Sequence, residues 1–155
     1  MENHNNGNRN NNQRGNSNNK RRFFNDDKQL LPYETLTSDN YVALAEKVIN
    51  YPKKNQKLLS TSQIRNLLSL NTEIYNTVLS ERSTKLSDDV RSRLQYLKVR
   101  MVYDSGREEA VKLFVQNSHL IDHLDEIGES KEKYMLFARY LEALVAYRKF
   151  AGRDS

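Results

Sequence analysis

Arg139-Tyr-Leu-Glu-Ala-Leu-Val-Ala-Tyr-Arg-Lys-Phe-Ala-Gly152 is the stretch that decides the fold. At about 100° per residue, Arg139, Glu142, Ala146 and Lys149 fall in one narrow stripe. Phe137, Tyr140, Leu141, Leu144, Val145 and Tyr147 cover most of the remaining circumference. A helix that is apolar nearly all round is buried, because no side of it prefers water. A chain of 155 residues has few helices with which to bury it. Either this helix is the centre of a small bundle, or another protein covers one of its sides. Both readings point to an assembly component before an enzyme.

Working back from this helix, the apolar period stays helical and no strand-like alternation appears. Ser130 opens the last helix, Gly128 ends the one before it, and Gly152 suits a C-terminal cap. Tyr41, Leu44, Ala45, Val48 and Ile49 make a first apolar stripe, entered from Thr37-Ser38-Asp39 and stopped near Tyr51-Pro52. A basic loop, Lys53-Lys54-Asn55-Gln56-Lys57, follows. Ser60 and Gln63 fit a capping box, and Ile64, Leu67, Leu68, Asn71, Ile74, Tyr75, Val78 and Leu79 share the face behind it, with Arg65 beside it.

Glu81 to Lys85 reads as a polar linker, and Ser87-Asp88-Asp89 caps the next helix. That helix carries Val90, Leu94, Leu97 and Met101 on one face and Tyr96, Val99 and Tyr103 on another. Two basic stripes run between them, Arg91/Lys98 and Arg93/Arg100. Gly106 breaks or bends the chain, and Ser105-Gly106-Arg107-Glu108 resembles a further capping box. Ala110, Val111, Phe114 and Val115 form another helix, which Leu120, Ile121, Leu124 and Ile127 either extend or follow as a separate one. The expected fold is all-α: a single bundle of five to six helices over 37–155, preceded by a flexible asparagine-rich tail over 1–36. Within that tail Leu30-Leu31-Pro32-Tyr33 has enough apolar character to dock locally. Lys20-Arg21-Arg22 offers phosphates an arm.

The net charge is +5 and the isoelectric point near 9.4. Arg9, Arg14, Lys20, Arg21, Arg22 and Lys28 outnumber Glu2, Asp26 and Asp27 in the tail, so the bundle itself is nearly balanced. Any nucleic-acid surface on it is then a local patch, not a global field. Absence of cysteine excludes disulfides and thiolate metal sites. No apolar run reaches the roughly 18 residues that span a bilayer, and the amino terminus lacks the apolar core of a secretory signal. A cytoplasmic protein with no membrane contact is expected.

His119 and His123 stand at i,i+4, a zinc-ligand spacing, but H-E-x-x-H is absent and no third ligand presents itself. They read as a solvated or boundary pair. Asp104, Glu108 and Glu109 cluster around Gly106, where Glu108 is explained more simply as a capping residue. No phosphate-binding loop and no nucleophile–base set is present, so no catalytic residue, metal or cofactor is expected. Arg148 falls among apolar positions and is expected at a helix end or a protein contact. The dispersed Lys and Arg residues suit backbone phosphates, which need no base-reading module.

Three blocks carry a resemblance: Leu59-Ser-Thr-Ser-Gln-Ile-Arg-Asn-Leu-Leu-Ser-Leu70, Tyr96-Leu-Lys-Val-Arg-Met-Val-Tyr-Asp-Ser-Gly-Arg107, and the Arg139–Gly152 helix. In order and spacing they resemble the small helical subunit of the type III-A CRISPR effector, the Csm complex, from about Tyr41 to Gly152. The resemblance implies a non-catalytic bundle that stacks with further copies of itself as an inner filament along the guide RNA–target RNA duplex. Its partners would be the two RNAs, the backbone subunits and the large signalling subunit. Position by position it points to Arg65, to Lys98, Arg100 and Arg107, and to Arg139 and Lys149 as phosphate contacts; Lys53 and Lys54 of the basic loop join them as candidates. The reading from a different class is a helical adaptor that binds only protein. A small metal-dependent nuclease built on Asp104, Glu108 and the histidines is the third.

Overall fold

The computed structural model describes residues 30–52 and 57–152. Within them the helices are α1 (Tyr41–Asn50), α2 (Thr61–Ser80), α3 (Asp88–Arg107), α4 (Glu109–Ser118), α5 (Leu120–Ile127) and α6 (Lys131–Ala151). The 1–29 part of the expected tail, and Lys53 and Lys54, lie outside the described residues. Among the described residues no helix is long and apolar enough to cross a membrane.

The apolar α6 is the central helix. It packs chiefly on α1, then on α2 and α5, and buries Tyr134, Phe137, Ala138, Tyr140, Leu141, Leu144, Val145 and Arg148. Its excess apolar surface is therefore core, which decides between the two readings of this stretch. Two buried phenols need partners and have them: Tyr134 Oη donates to Asn71 Oδ1 at 2.8 Å, and Tyr140 Oη to the Ser118 carbonyl at 2.8 Å. Burial pushes both hydroxyls well above the ordinary tyrosine pKa.

Arg148 is 1 % exposed. Its Nε donates to the Leu59 carbonyl at 2.6 Å and its Nη1 to the Gly152 carbonyl. A guanidinium can be buried here because two backbone acceptors replace its water. It ties the entry of α2 to the end of α6, a contact within the chain and not with another protein.

Local capping fixes most helix starts where the sequence places them. Ser60 and Gln63 exchange both bonds of a capping box. Ser87 accepts from the Val90 amide and Ser130 from the Lys133 amide. Gly128 and Gly152, at φ +54° and +64°, end α5 and α6 in backbone conformations that favour glycine.

Several details differ from the sequence expectation. Gly106 does not break the chain; it sits inside α3, which runs one residue past it. The expected box at Ser105 is absent, because Ser105 is buried and its Oγ donates back to the Met101 carbonyl at 2.6 Å. Glu108 flanks both helices but makes no side-chain cap. The linker after α2 is held firmly: Leu86 is buried, its amide donates to the Glu129 carbonyl, and Lys131 Nζ reaches the Glu81 carbonyl.

α4 and α5 are separate helices, parted at His119, whose backbone is left-handed at φ 53°. His119 is half-buried, as a boundary residue, whereas His123 is buried, which the expected solvated or boundary pair did not include. His119 Nε2 lies 2.6 Å from the Leu31 carbonyl and its Nδ1 3.1 Å from Asp122. His123 is buried between the rings of Tyr33 and Tyr140. Residues 30–36, expected as the last part of the tail, dock here: Leu31 is buried and its amide donates to Asn117 Oδ1 at 3.0 Å. Burial, reinforced by His119, lowers the His123 pKa to about 4; burial and the neighbouring Glu126 raise that of Tyr33 to about 12.

Candidate nucleic-acid interface

α3 carries the densest set of basic residues and separates them by face. Val90, Leu94, Leu97 and Met101 turn inward. Arg91 and Lys98 lie to one side of this stripe and meet acids of the α5 end: Lys98 Nζ is 2.7 Å from Asp125, and Arg91 Nη1 is 3.4 Å from Glu129. Lys98 thus has a partner on α5, and Arg91 has one in the turn that follows it, besides Asp88 at 3.9 Å on α3 itself.

On the other side run Arg93, Tyr96, Arg100, Tyr103 and Arg107, spaced alternately three and four residues apart. That spacing keeps all five in one stripe of an α-helix. Tyr96 and Tyr103 are more than half exposed, as is Val99 beside them. The second apolar face of this helix is thus largely uncovered by the other described residues.

The arginines of this stripe are restrained but reachable. Arg93 pairs with Asp89 at 3.1 Å and Arg100 with Asp104 at 3.6 Å, each one turn away on the same helix. Such exposed i,i+4 pairs contribute only about 0.3–0.5 kcal/mol and exchange readily for a phosphate. The Arg100 and Arg107 guanidiniums lie 5.4 and 5.6 Å from the centre of the Tyr103 ring. The ring holds both by cation–π attraction.

Between α2 and α3, closed at one end by the start of α4, is a groove of about 570 Å³. Tyr96, Arg100 and Arg107 line it from α3, and Asn66, Ser69 and Glu73 from α2. Asp104 and Glu108 also face it, so its charge is mixed.

Of the residues expected to contact phosphate, the structure brings Arg100 and Arg107 together. Arg65 is exposed on α2 but does not line the groove. Arg139 and Lys149 are exposed along α6, which contributes nothing to the groove lining. Arg65, Arg139 and Lys149 make no ion pair with another described residue. Lys98 stands apart from Arg100, on the α5 side. Sequence reasoning did not count Arg93, Tyr96 and Tyr103 as site residues, although the alternating Arg/Tyr spacing was present in the sequence to signal them. Among the described residues no group of three or more His, Asp or Glu side chains is arranged to hold a metal ion.

The family model described as Csm2 Type III-A matches residues 35–154. Among similar proteins, the "CRISPR system Cms protein Csm2" of Mycobacterium tuberculosis is 41% identical over 117 residues, covering 75% of this chain and 94% of the relative. The protein of that name from Streptococcus thermophilus is 43% identical over 120 residues, covering 76% and 95%. That from Enterococcus italicus is 43% identical over 94 residues, covering 59% and 67%.

Proposed function

The chain belongs to the Csm2 type III-A family, and from that premise we propose that it is a non-catalytic, RNA-binding structural subunit of a cytoplasmic CRISPR surveillance complex. It stacks with further copies of itself beside the guide RNA–target RNA duplex, next to the backbone and large signalling subunits. The observation that carries the RNA-binding part is the stripe of α3: three arginines, separated by tyrosines, that remain accessible among the described residues. Arg93, Arg100 and Arg107 would neutralise backbone phosphates, with Arg65 on α2, Arg139 and Lys149 on α6, and Lys53 and Lys54 as further contacts. Lys98 is matched by Asp125 and serves the fold first.

Charge reversal tests this reading. Arg65→Glu, Arg100→Glu and Arg107→Glu together should weaken target-RNA binding by the assembled complex at least tenfold at low salt, with the helical circular-dichroism signal intact. The dependence of log K on log salt should flatten by roughly 0.7–0.9 for each phosphate that is no longer neutralised. Unchanged affinity in the assembled complex would overturn the assignment of these arginines. An adaptor that binds only protein would co-purify with other Cas proteins whether or not RNA is digested away, and would show no salt-dependent RNA affinity of its own.

A further inference from the structure

Exposed tyrosine is an odd companion for arginine on a surface that only grips phosphate. Backbone contacts need cations and hydrogen-bond donors; a tyrosine can supply its hydroxyl or, like Tyr103, steady a guanidinium, but the open ring face of Tyr96 serves neither purpose. Stacking is what an exposed ring offers a nucleic acid, and only an unpaired base has a free face to stack. Tyr96 is 58 % exposed and stands at the lip of the α2–α3 groove. Tyr103, one heptad along, is flanked by the guanidiniums of Arg100 and Arg107, both of which line that groove.

The groove's mixed charge narrows its occupant. A row of duplex phosphates pressed into it would meet Glu73, Asp104 and Glu108 as well as the arginines. An unpaired base can turn an N–H edge to these groups, donating to the carboxylates and to the Asn66 amide oxygen. A second copy of this chain fits less well: the stripe alternates charge with aromatic rings, whereas the core of a homodimer interface is depleted of charge.

Resting on the RNA-binding reading above, we infer that the α2–α3 groove is a seat for an unpaired RNA nucleotide. Its base stacks on Tyr96, its edge faces Asn66 and Glu73, and its flanking phosphates meet Arg100 and Arg107 at the mouth. Tyr103 is a positioning residue that holds the two guanidiniums in place. The chain then favours single strand over duplex through a stacked base, which a duplex does not offer.

The test uses the full-length chain with two fluorescent RNAs of equal length, one single-stranded and unstructured, the other a blunt duplex. Tyr96→Ala should lower affinity for the single strand about tenfold and for the duplex less than twofold, in keeping with the loss of one stacked base. Tyr96→Phe, which keeps the ring, should restore single-strand binding, and neither change should alter the salt dependence, since every phosphate keeps its cation. Tyr96→Ala binding the single strand like the parent, while Arg100→Glu weakens it, would overturn the groove as a base seat and leave the backbone reading standing. Equal losses on both RNAs would also overturn it. A parent chain that binds neither RNA at low salt would overturn both readings. If Tyr96→Ala instead abolishes self-association measured by sedimentation, the face belongs to a second copy and the inference fails.

Discussion

On α3, Arg91 and Lys98 stand one heptad apart, and so do Arg93 and Arg100. Arg91 and Lys98 reach Glu129 and Asp125 beyond their own helix, with Asp88 also near Arg91, whereas among the described residues the ion pairs of Arg93 and Arg100 are with acids one turn away on α3. A helix rotates by about 100° per residue, so a shift of two positions carries a side chain to the far side of the buried stripe. Equal charge in equal spacing therefore yields a structural clamp on one side and a candidate binding surface on the other. What separates them is what the rest of the chain brings alongside: α5 covers one flank and leaves the other open.

The contrast with these accessible arginines is greatest at Arg148, which is 1 % exposed. Arg148→Ala removes donors from two backbone carbonyls and leaves a cavity where the entry of α2 meets the end of α6. It should cost about 4 kcal/mol of stability, read from the urea midpoint with little change in slope. RNA affinity per folded molecule should be unchanged. A loss within about 1 kcal/mol, the range of an exposed ion pair, would show that this arginine resembles the open ones after all.

The α5 flank also carries a proton switch that the open flank lacks. The folded pKa of His123 is about 4 against an ordinary 6.5. As pH falls, the unfolded chain therefore takes up the proton first. Stability from this group is full above about pH 6.5 and is lost as pH falls toward 4. The loss reaches about 3 kcal/mol, because the buried imidazole must charge or the chain must unfold. His123→Phe keeps a ring between Tyr33 and Tyr140 but has nothing to protonate, so its stability should fall less over that window in urea titrations at a series of pH values. Parallel pH profiles for the two proteins would refute the assignment.

The smallest expected effect bears most directly on whether the two flanks differ. Lys98→Met removes the Asp125 pair, which is partly exposed, and should cost about 0.5 kcal/mol. Its RNA affinity should stay within twofold of the parent, whereas reversal of Arg100 and its companions should weaken binding tenfold or more. If Lys98→Met lowers RNA affinity as much as Arg100→Glu does, the two flanks are not distinct.

Much of the fold was legible in sequence because its signals are local. The Ser60–Gln63 box, the Ser87 and Ser130 caps and the glycines that end α5 and α6 act over three or four residues, and each does what its sequence implies. The failures are of another kind. Ser105 through Glu108 has the letters of a capping box, but continued packing of Ser105 against the Met101 turn keeps the helix going. His119 sits at the boundary as its spacing allows, but His123 is interior, because Tyr33, distant in sequence, and Tyr140 cover it. The candidate site was legible only in part. The resemblance pointed to Arg100 and Arg107, which the groove brings together, and also to Lys98, which it does not.

By itself, the sequence determined the helical class, the starts of α2, α3 and α6 and the need to bury the Arg139–Gly152 stretch, because periodicity and capping are short-range physics. Only the tertiary structure decided which flank of α3 stays open, that Arg148 closes the core, and that residues 30–36 belong to the bundle. Those outcomes depend on which distant side chains supply a partner or remove water, and no local pattern encodes that.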